Sequence, residues 1–326
     1  MIKDKENALA GARCIIQNWL EAKESEVIHF ITDESHKKEA DIFELAAFEC
    51  GVVPKISILS LDGVQSGEVI DKMKNTMYYS DVIVGATHYS FVTTEAVEFA
   101  LKKGSRFLSF PMHTNDGSCI FEREFIRMSP KLAKKMGKPI AQRITDAKEV
   151  VVKTKKGTNV AFSAKNRNAG IFAGSCTRKG KVASSSFELY VPIVETATKG
   201  RVIADGSLGY LGKISEPIEL IFEAGYLVEI NGGEDAVRLK KYMESFGDKE
   251  IYCAAELGIG LNTKSKCEGI CYIEDESTYG TFHIGFGRNI ALGGRHEARG
   301  HFDIVTYSPD IFVDEVVIME NGEFII

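Results

Sequence analysis

Val27-Ile-His-Phe-Ile-Thr-Asp33, with the segment Glu39 to Cys50 behind it, is the stretch whose pattern decides the fold. The first run is short, apolar and stopped by a carboxylate, as a strand buried on both faces would be. In the second, Ile42, Phe43, Ala46, Ala47 and Cys50 recur at helical spacing and Gly51 closes the run. Moving outward, Lys55–Leu61 reads as a strand, Glu68–Met77 as a helix and Asp81–Gly85 as a strand. Thr93–Lys103 reads as a helix ended by Gly104, and Arg106–Phe110 as a fourth strand. Strands alternating with helices predict a parallel sheet covered by helices, because parallel neighbours need long crossovers.

The pattern changes near residue 147. Strand-like runs follow at Glu149–Lys153, Thr158–Ser163, Leu189–Val194, Gly200–Ile203, Pro217–Phe222 and Tyr226–Ile230. Turns such as Lys155-Lys-Gly157 and Asn231-Gly-Gly233 separate them, and one helix, about Ala236 to Phe246, interrupts them. At roughly 150 residues per domain, 326 residues make two. The expected architecture is an α/β Rossmann-like domain over 1–146 and a β-rich α+β domain over 147–326 that carries the site.

Composition excludes several functions. Lys plus Arg is 40 and Asp plus Glu 46, a net charge of −6, which argues against nucleic acid as the partner. No apolar run reaches the ~18–20 residues that span a bilayer. The first residues, Met1-Ile-Lys-Asp-Lys-Glu-Asn7, lack the apolar stretch of a secretory signal. Seven scattered cysteines read as reduced thiols of a cytoplasmic protein. The segment after the first strand, Thr32-Asp-Glu-Ser-His36, holds no G-x-G-x-x-G, and no phosphate loop occurs elsewhere, so no nucleotide cofactor is expected. His296 and His301 are five apart rather than four, so they do not form a zincin helix. Cys267 and Cys271 lack a second pair at zinc-finger spacing.

The acids and histidines of the second half carry more information. Gly280-Thr-Phe-His-Ile-Gly-Phe-Gly287 and Gly300-His-Phe-Asp-Ile-Val305 both read as strands. Period-2 geometry puts His301 and Asp303 on one sheet face, roughly 7 Å apart along it. Phe302 and Ile304 then face the other way. Glu256 lies in the apolar run Cys253-Ala-Ala-Glu-Leu-Gly-Ile-Gly-Leu261, and Glu188 in Ser186-Phe-Glu-Leu-Tyr-Val191. A buried acid needs a partner. For any one of them a solvent-facing edge position is the simpler reading; five together, His mixed with carboxylate, select a divalent metal.

Phe187-Glu-Leu-Tyr-Val-Pro192, Ala255-Glu-Leu-Gly-Ile-Gly-Leu-Asn262, Thr281-Phe-His-Ile-Gly-Phe-Gly287 and Gly300-His-Phe-Asp303 resemble, in order and early spacing, the thermophilic metalloaminopeptidase (aminopeptidase T) family. The resemblance is good over about 150–326 and looser before. Carried over by position, it makes Glu188, Glu256, His283, His301 and Asp303 metal ligands, with Glu276, or else Glu274, as the acid before the first ligand histidine. The chain departs from that family in having no tyrosine between His283 and His301. It also resembles the 2,5-dihydroxypyridine 5,6-dioxygenases at Tyr279-Gly-Thr-Phe282, Gly293-Gly-Arg295 and His301-Phe-Asp303. In those enzymes a histidine stands at the place of Glu256, and apolar residues at those of Glu188 and His283.

The first resemblance implies a homodimeric hydrolase with two Zn, Co or Mn ions, cleaving an N-terminal peptide bond or small amide with a metal-activated water. Glu256 would bridge the metals, and Glu188 or Glu276 would pass the proton. Arg295 and His296, after the Gly293-Gly294 turn, are candidates to meet a substrate carboxylate, with an exposed turn the simpler reading. The second implies a ring-cleaving dioxygenase with one Fe(II) on a triad of His283, His301 and Asp303. A third reading is a metal-binding scaffold without activity.

Overall fold

The computed structural model describes residues 1–60 and 66–325. Its chain forms two compact units, Met1–Pro130 with Phe172–Ser186, and Lys131–Ile171 with Phe187–Ile326.

The N-terminal unit is built on five parallel strands in the order β2-β1-β3-β4-β8. These are β1 (Val27–Asp33), β2 (Val53–Leu59), β3 (Val82–Gly85), β4 (Arg106–Ser109) and β8 (Val182–Ser184). Residues 28–33 of β1 are all buried, as its unbroken apolar run requires. The helices are α1 (Lys5–Cys14), α2 (Lys37–Glu49), α3 (Ser66–Lys72), α4 (Lys74–Met77) and α5 (Glu95–Lys102). The helix expected over 68–77 is two pieces meeting at Met73, and Leu61, the expected end of the second strand, lies outside the described residues. Thr94 caps α5, its side chain accepting from the N–H of Val97. Trp19, Phe30, Phe43, Phe110, Phe121 and Phe125 are fully buried, and the rings of Phe30 and Phe43 stack 4.4 Å apart. Each such side chain contributes about 1.5–3 kcal/mol by leaving water.

The second unit holds α6 (Pro130–Ile144) and two sheets. One has eight antiparallel strands, β12-β11-β10-β6-β5-β16-β17-β18. They are β5 (Val150–Lys153), β6 (Asn159–Phe162), β10 (Lys199–Ala204), β11 (Ile218–Glu223), β12 (Tyr226–Asn231), β16 (Asp310–Val313), β17 (Val316–Glu320) and β18 (Glu323–Phe324). The other runs β15-β14-β13-β9-β7, from β7 (Gly170–Ala173), β9 (Phe187–Pro192), β13 (Ala254–Gly260), β14 (Thr281–Gly287) and β15 (His301–Tyr307). Two helices, α7 (Glu234–Ser245) and α8 (Tyr272–Ser277), complete the unit.

The architecture is the expected one, a helix-covered parallel sheet followed by a β-rich region. Its division is not a single cut at 146/147. α6 belongs with the second unit, and the chain returns to the first because Val182–Ser184 must pair beside β4. No helix among the described residues is long and apolar enough to cross a membrane.

Candidate metal centre

All seven residues of β13 and of β14 are buried, and alternation along these strands sorts them into two faces. Leu257 and Ile259, Phe282, Ile284 and Phe286, and Phe302 and Ile304 share one face with Leu189 and Val191. Phe286 stacks there on Phe302 at 5.3 Å and on Phe222 at 5.9 Å. The opposite face carries every polar side chain of interest. One row across the strands reads Glu256, Gly285, Asp303; the next reads Tyr190, Gly258, His283, Val305; beyond it Glu188 pairs with Gly260. His301 stands opposite Gly287.

Two groups of ligand atoms result, each gathered within 4.8 Å, and Glu256 belongs to both. One is Glu188, Glu256 and His283; the other is Glu256, His301 and Asp303. His283 Nε2 lies 2.8 Å from Glu188 Oε2, while His301 Nε2 lies 3.1 Å from Glu256 Oε2 and 3.3 Å from Asp303 Oδ1. His301 donates from Nδ1 to the Arg288 carbonyl at 2.9 Å, which turns Nε2 toward the carboxylates. The Tyr272 hydroxyl, on α8, donates to Asp303 Oδ2. The triad of His283, His301 and Asp303 expected for a single iron is not brought together as one of these groups. Asp303 pairs across to Gly285, one row along the sheet from His283, so the two histidines serve different groups.

Burial sets the electrostatics. It pushes the Glu256 carboxyl up to about 7, with Glu188 adding to the rise and His301 opposing it. Burial and the charges of Glu188 and Asp303 hold Glu276 well above the carboxylate range. Burial works against a charged His283, but Glu188 beside it outweighs burial and raises it to about 9. His301 rises in the same way on Asp303 and Glu256. Asp303, also against burial, is held far below its ordinary value, chiefly by His301. Burial, with Glu256 next, lifts Tyr190 to about 12.

The donor set fits a cation. Both ring nitrogens of His283, Asp303 Oδ1 and Glu276 Oε2 are buried without a hydrogen-bond partner, although His283 Nε2 is so near Glu188. Close approach without alignment is what ligand atoms aimed at a common point display. Four buried carboxyls around two imidazoles would otherwise be costly. Nitrogen and oxygen ligands without thiolate suit Zn, Co, Mn or Fe(II). His301, with 29% of its side chain exposed, opens the group to solvent; His283 and the carboxylates lie beneath.

The remaining candidates sit elsewhere. Glu274 accepts from the Lys266 N–H at 3.1 Å, so of the two acids weighed, Glu276 is the one beside the site. Arg295 is exposed, and its N–H donates to Glu195; His296 meets the Glu250 carbonyl through Nε2 at 2.9 Å. Neither joins the cluster. Sequence reasoning missed Gly258 and Gly285. A Cβ on Gly258 would fall 1.9 Å from His283 Nε2, and one on Gly285 2.8 Å from both Glu256 Oε2 and His301 Cε1. The one signal of Gly258 is a spacing, Gly258 and Gly260 following Glu256 at period two; which side chain it makes room for depends on the strand register. Tyr272 gave no such signal.

A β-sheet face crowded with buried acids and imidazoles, in a chain with a separate parallel α/β unit, defines a metal-dependent enzyme. The sequence pattern of the 2,5-dihydroxypyridine 5,6-dioxygenase family matches residues 19–326. The chain belongs to that family. The 2,5-dihydroxypyridine 5,6-dioxygenase of Pseudomonas putida KT2440 is 27% identical over 143 residues, which is 40% of this chain and 41% of that protein. The chain thus aligns in sequence with about two fifths of that relative. Over the whole fold, the solved 2,5-dihydroxypyridine dioxygenase of P. putida KT2440 superposes with a TM-score of 0.77 at 18% identity, covering 99% of this chain and 98% of that one. AmpT from Thermus thermophilus superposes with a TM-score of 0.65 at 13% identity, covering 99% and 100%. At these identities the two superpositions speak to fold alone.

Proposed function

We propose that the chain is a dioxygenase that opens a hydroxylated pyridine-type ring with one Fe(II) held by Glu256, His301 and Asp303. The observation that carries this reading is family membership over residues 19–326, together with a three-ligand group that His301 opens to solvent. Fe(II) in that group would supply the one-electron chemistry that dioxygen needs to react with an aromatic ring. The protein's own part is positional and protonic. The Arg288 carbonyl fixes the tautomer of His301, and Tyr272 holds Asp303. Glu276, whose burial favours the protonated carboxyl, can hold a proton on Oε2 for a departing or rearranging oxygen.

One observation favours a second reading. Glu256 is shared by both ligand groups, the arrangement a two-metal hydrolase of the aminopeptidase kind uses to bridge its ions. The resemblance to the dioxygenases implies a histidine at the place where this chain has Glu256. The deciding experiment is metal analysis of protein purified without chelator, with oxygen uptake on 2,5-dihydroxypyridine and hydrolysis of leucine p-nitroanilide measured in parallel. One iron per chain, with oxygen consumed in step with substrate, is the expected result. Two ions shared through Glu256, with amide hydrolysis and no oxygen uptake, would overturn it in favour of the hydrolase.

A further inference from the structure

The N-terminal unit gathers three of the chain's seven histidines at one end of its sheet. Asp33 ends β1 and the turn Glu34–His36 follows it; His88 follows β3 by three residues, and His113 follows β4 by four. All three imidazoles therefore leave the carboxyl ends of adjacent parallel strands. β2 lies on one side of β1 and β3 on the other, so the chain reverses direction across the sheet at this point. Crevices at such reversals are where open α/β sheets bind ligands.

The rings form a connected set. His36 and His88 stack with centroids 5.8 Å apart, and His88 and His113 meet edge-on at 4.3 Å. His88 Nε2 is 2.7 Å from His113 Nδ1. His113 Nε2 is 2.9 Å from Asn115 Oδ1, a pure acceptor, so its proton sits on Nε2 and its lone pair on Nδ1. His36 Nε2 is buried and has no hydrogen-bond partner. Beneath them Asp33 accepts from the His88 N–H at 2.6 Å and the Ser35 N–H at 3.1 Å, tying two of the three loops together.

We propose that His36, His88 and His113 form a second metal site, for a single transition-metal ion of the Zn2+ or Cu2+ type. Each feature above has a place in such a site. Imidazole nitrogen is the preferred ligand of these ions. Asn115 orients His113 as an outer-shell acceptor does, placing the ring proton on Nε2 and the lone pair on Nδ1. The orphaned Nε2 of His36 gains a partner when its ring swings toward the His88–His113 pair. His88 can turn Nε2 to a metal by carrying its single proton on Nδ1 instead. Burial favours neutral rings over an anion-binding role: it lowers His36 to about 4, although Asp33 opposes, and it also lowers His88. Asp33, with its two N–H donors, stays an anchor and not a ligand.

The test is Zn2+ titration of the full-length protein by calorimetry, comparing wild type with His113→Ala and His88→Gln, and repeating the series in an Asp303→Asn background. Wild type should bind one more Zn2+ per chain than either variant, in both backgrounds. Circular dichroism checks folding, and His88→Gln carries the comparison if His113→Ala does not fold. Cu2+ loaded into the Asp303→Asn protein should show an electron paramagnetic spectrum with three coupled nitrogens, falling to two in His36→Gln. Equal Zn2+ stoichiometry in wild type and the folded variants, or a Cu2+ spectrum that His36→Gln leaves unchanged, would overturn the proposal.

Discussion

A methyl group at Gly258 would lie 1.9 Å from Nε2 of His283, on a strand hydrogen-bonded on both sides and unable to give way. Gly258→Ala should therefore expel the His283 ring from the cluster while the strands persist. The expected outcome is about 1–3 kcal/mol lost from the metal-free fold by overpacking, with the iron on Glu256, His301 and Asp303 retained. Thermal melting beside metal titration reads both; loss of a metal ion in the variant would show that His283 holds one, as the two-metal reading requires. At this scale much was legible. Glu188, Glu256, His283, His301 and Asp303 stood out as charged or ionisable groups inside apolar strands. What they required of Gly258, and what Tyr272 does for Asp303, was not. The first depends on strand register and the second on where a helix docks, and neither is written in a local window.

At the scale of elements, α8 shows how a short helix can be held largely through its polar residues, with Ile273 its one buried aliphatic side chain. Glu274, Asp275, Glu276 and Ser277 are all buried. Asp275 Oδ1 accepts from the N–H groups of Glu268 and Gly269 at 3.0 and 3.1 Å, fastening the preceding loop to the helix. Asp275→Ala removes the acceptor that both donors share, although the Glu268 N–H keeps the Lys266 carbonyl at 3.1 Å, and should cost on the order of 1–3 kcal/mol, read from the denaturation midpoint. Asp275→Asn keeps an acceptor and should recover most of it; equal loss in both would show that the loop does not depend on this carbonyl-like oxygen. Among the elements, β1–β6, β9–β12, β14 and β15 followed from apolar runs and alternation, and the helices over 37–49 and 95–102 from spacing and caps, whereas β7, β8, β13 and β16–β18 were not read as strands. α6 was not foreseen, because Pro139 inside it reads as a stop. The break at Met73 was equally silent, since apolar spacing continues through it.

For the molecule as a whole, the buried centre couples folding to protons. Burial holds Glu256 and Asp275 at about 7, and Glu188, against burial, holds His283 at about 9. Each group binds its proton more tightly folded than unfolded. The stability they contribute is complete below their unfolded values, about 4 for the acids and 6.5 for the histidine, and is lost as pH rises through 7 and then 9. Chelator-treated protein should therefore melt at progressively lower temperature between pH 5 and pH 9. A bound metal replaces the proton of Glu256, so the loaded protein should show a shallower slope. Calorimetric melting across that range, with and without chelator, checks it; parallel slopes in the two forms would contradict a metal among these residues.

The chain passes from one unit to the other after Pro130, after Ile171 and after Ser186. Synthesis runs from the amino end, so the sheet of the first unit still lacks its last strand, β8, when residues 131–171 of the second have already been made. Until residue 184 emerges, β4 presents an unpaired parallel edge, the kind of surface that invites association with other chains. A ribosome therefore cannot release the first unit as a finished body before starting the second. A gene split at the apparent boundary would produce a first half that never finishes, and the two units have to be inherited together.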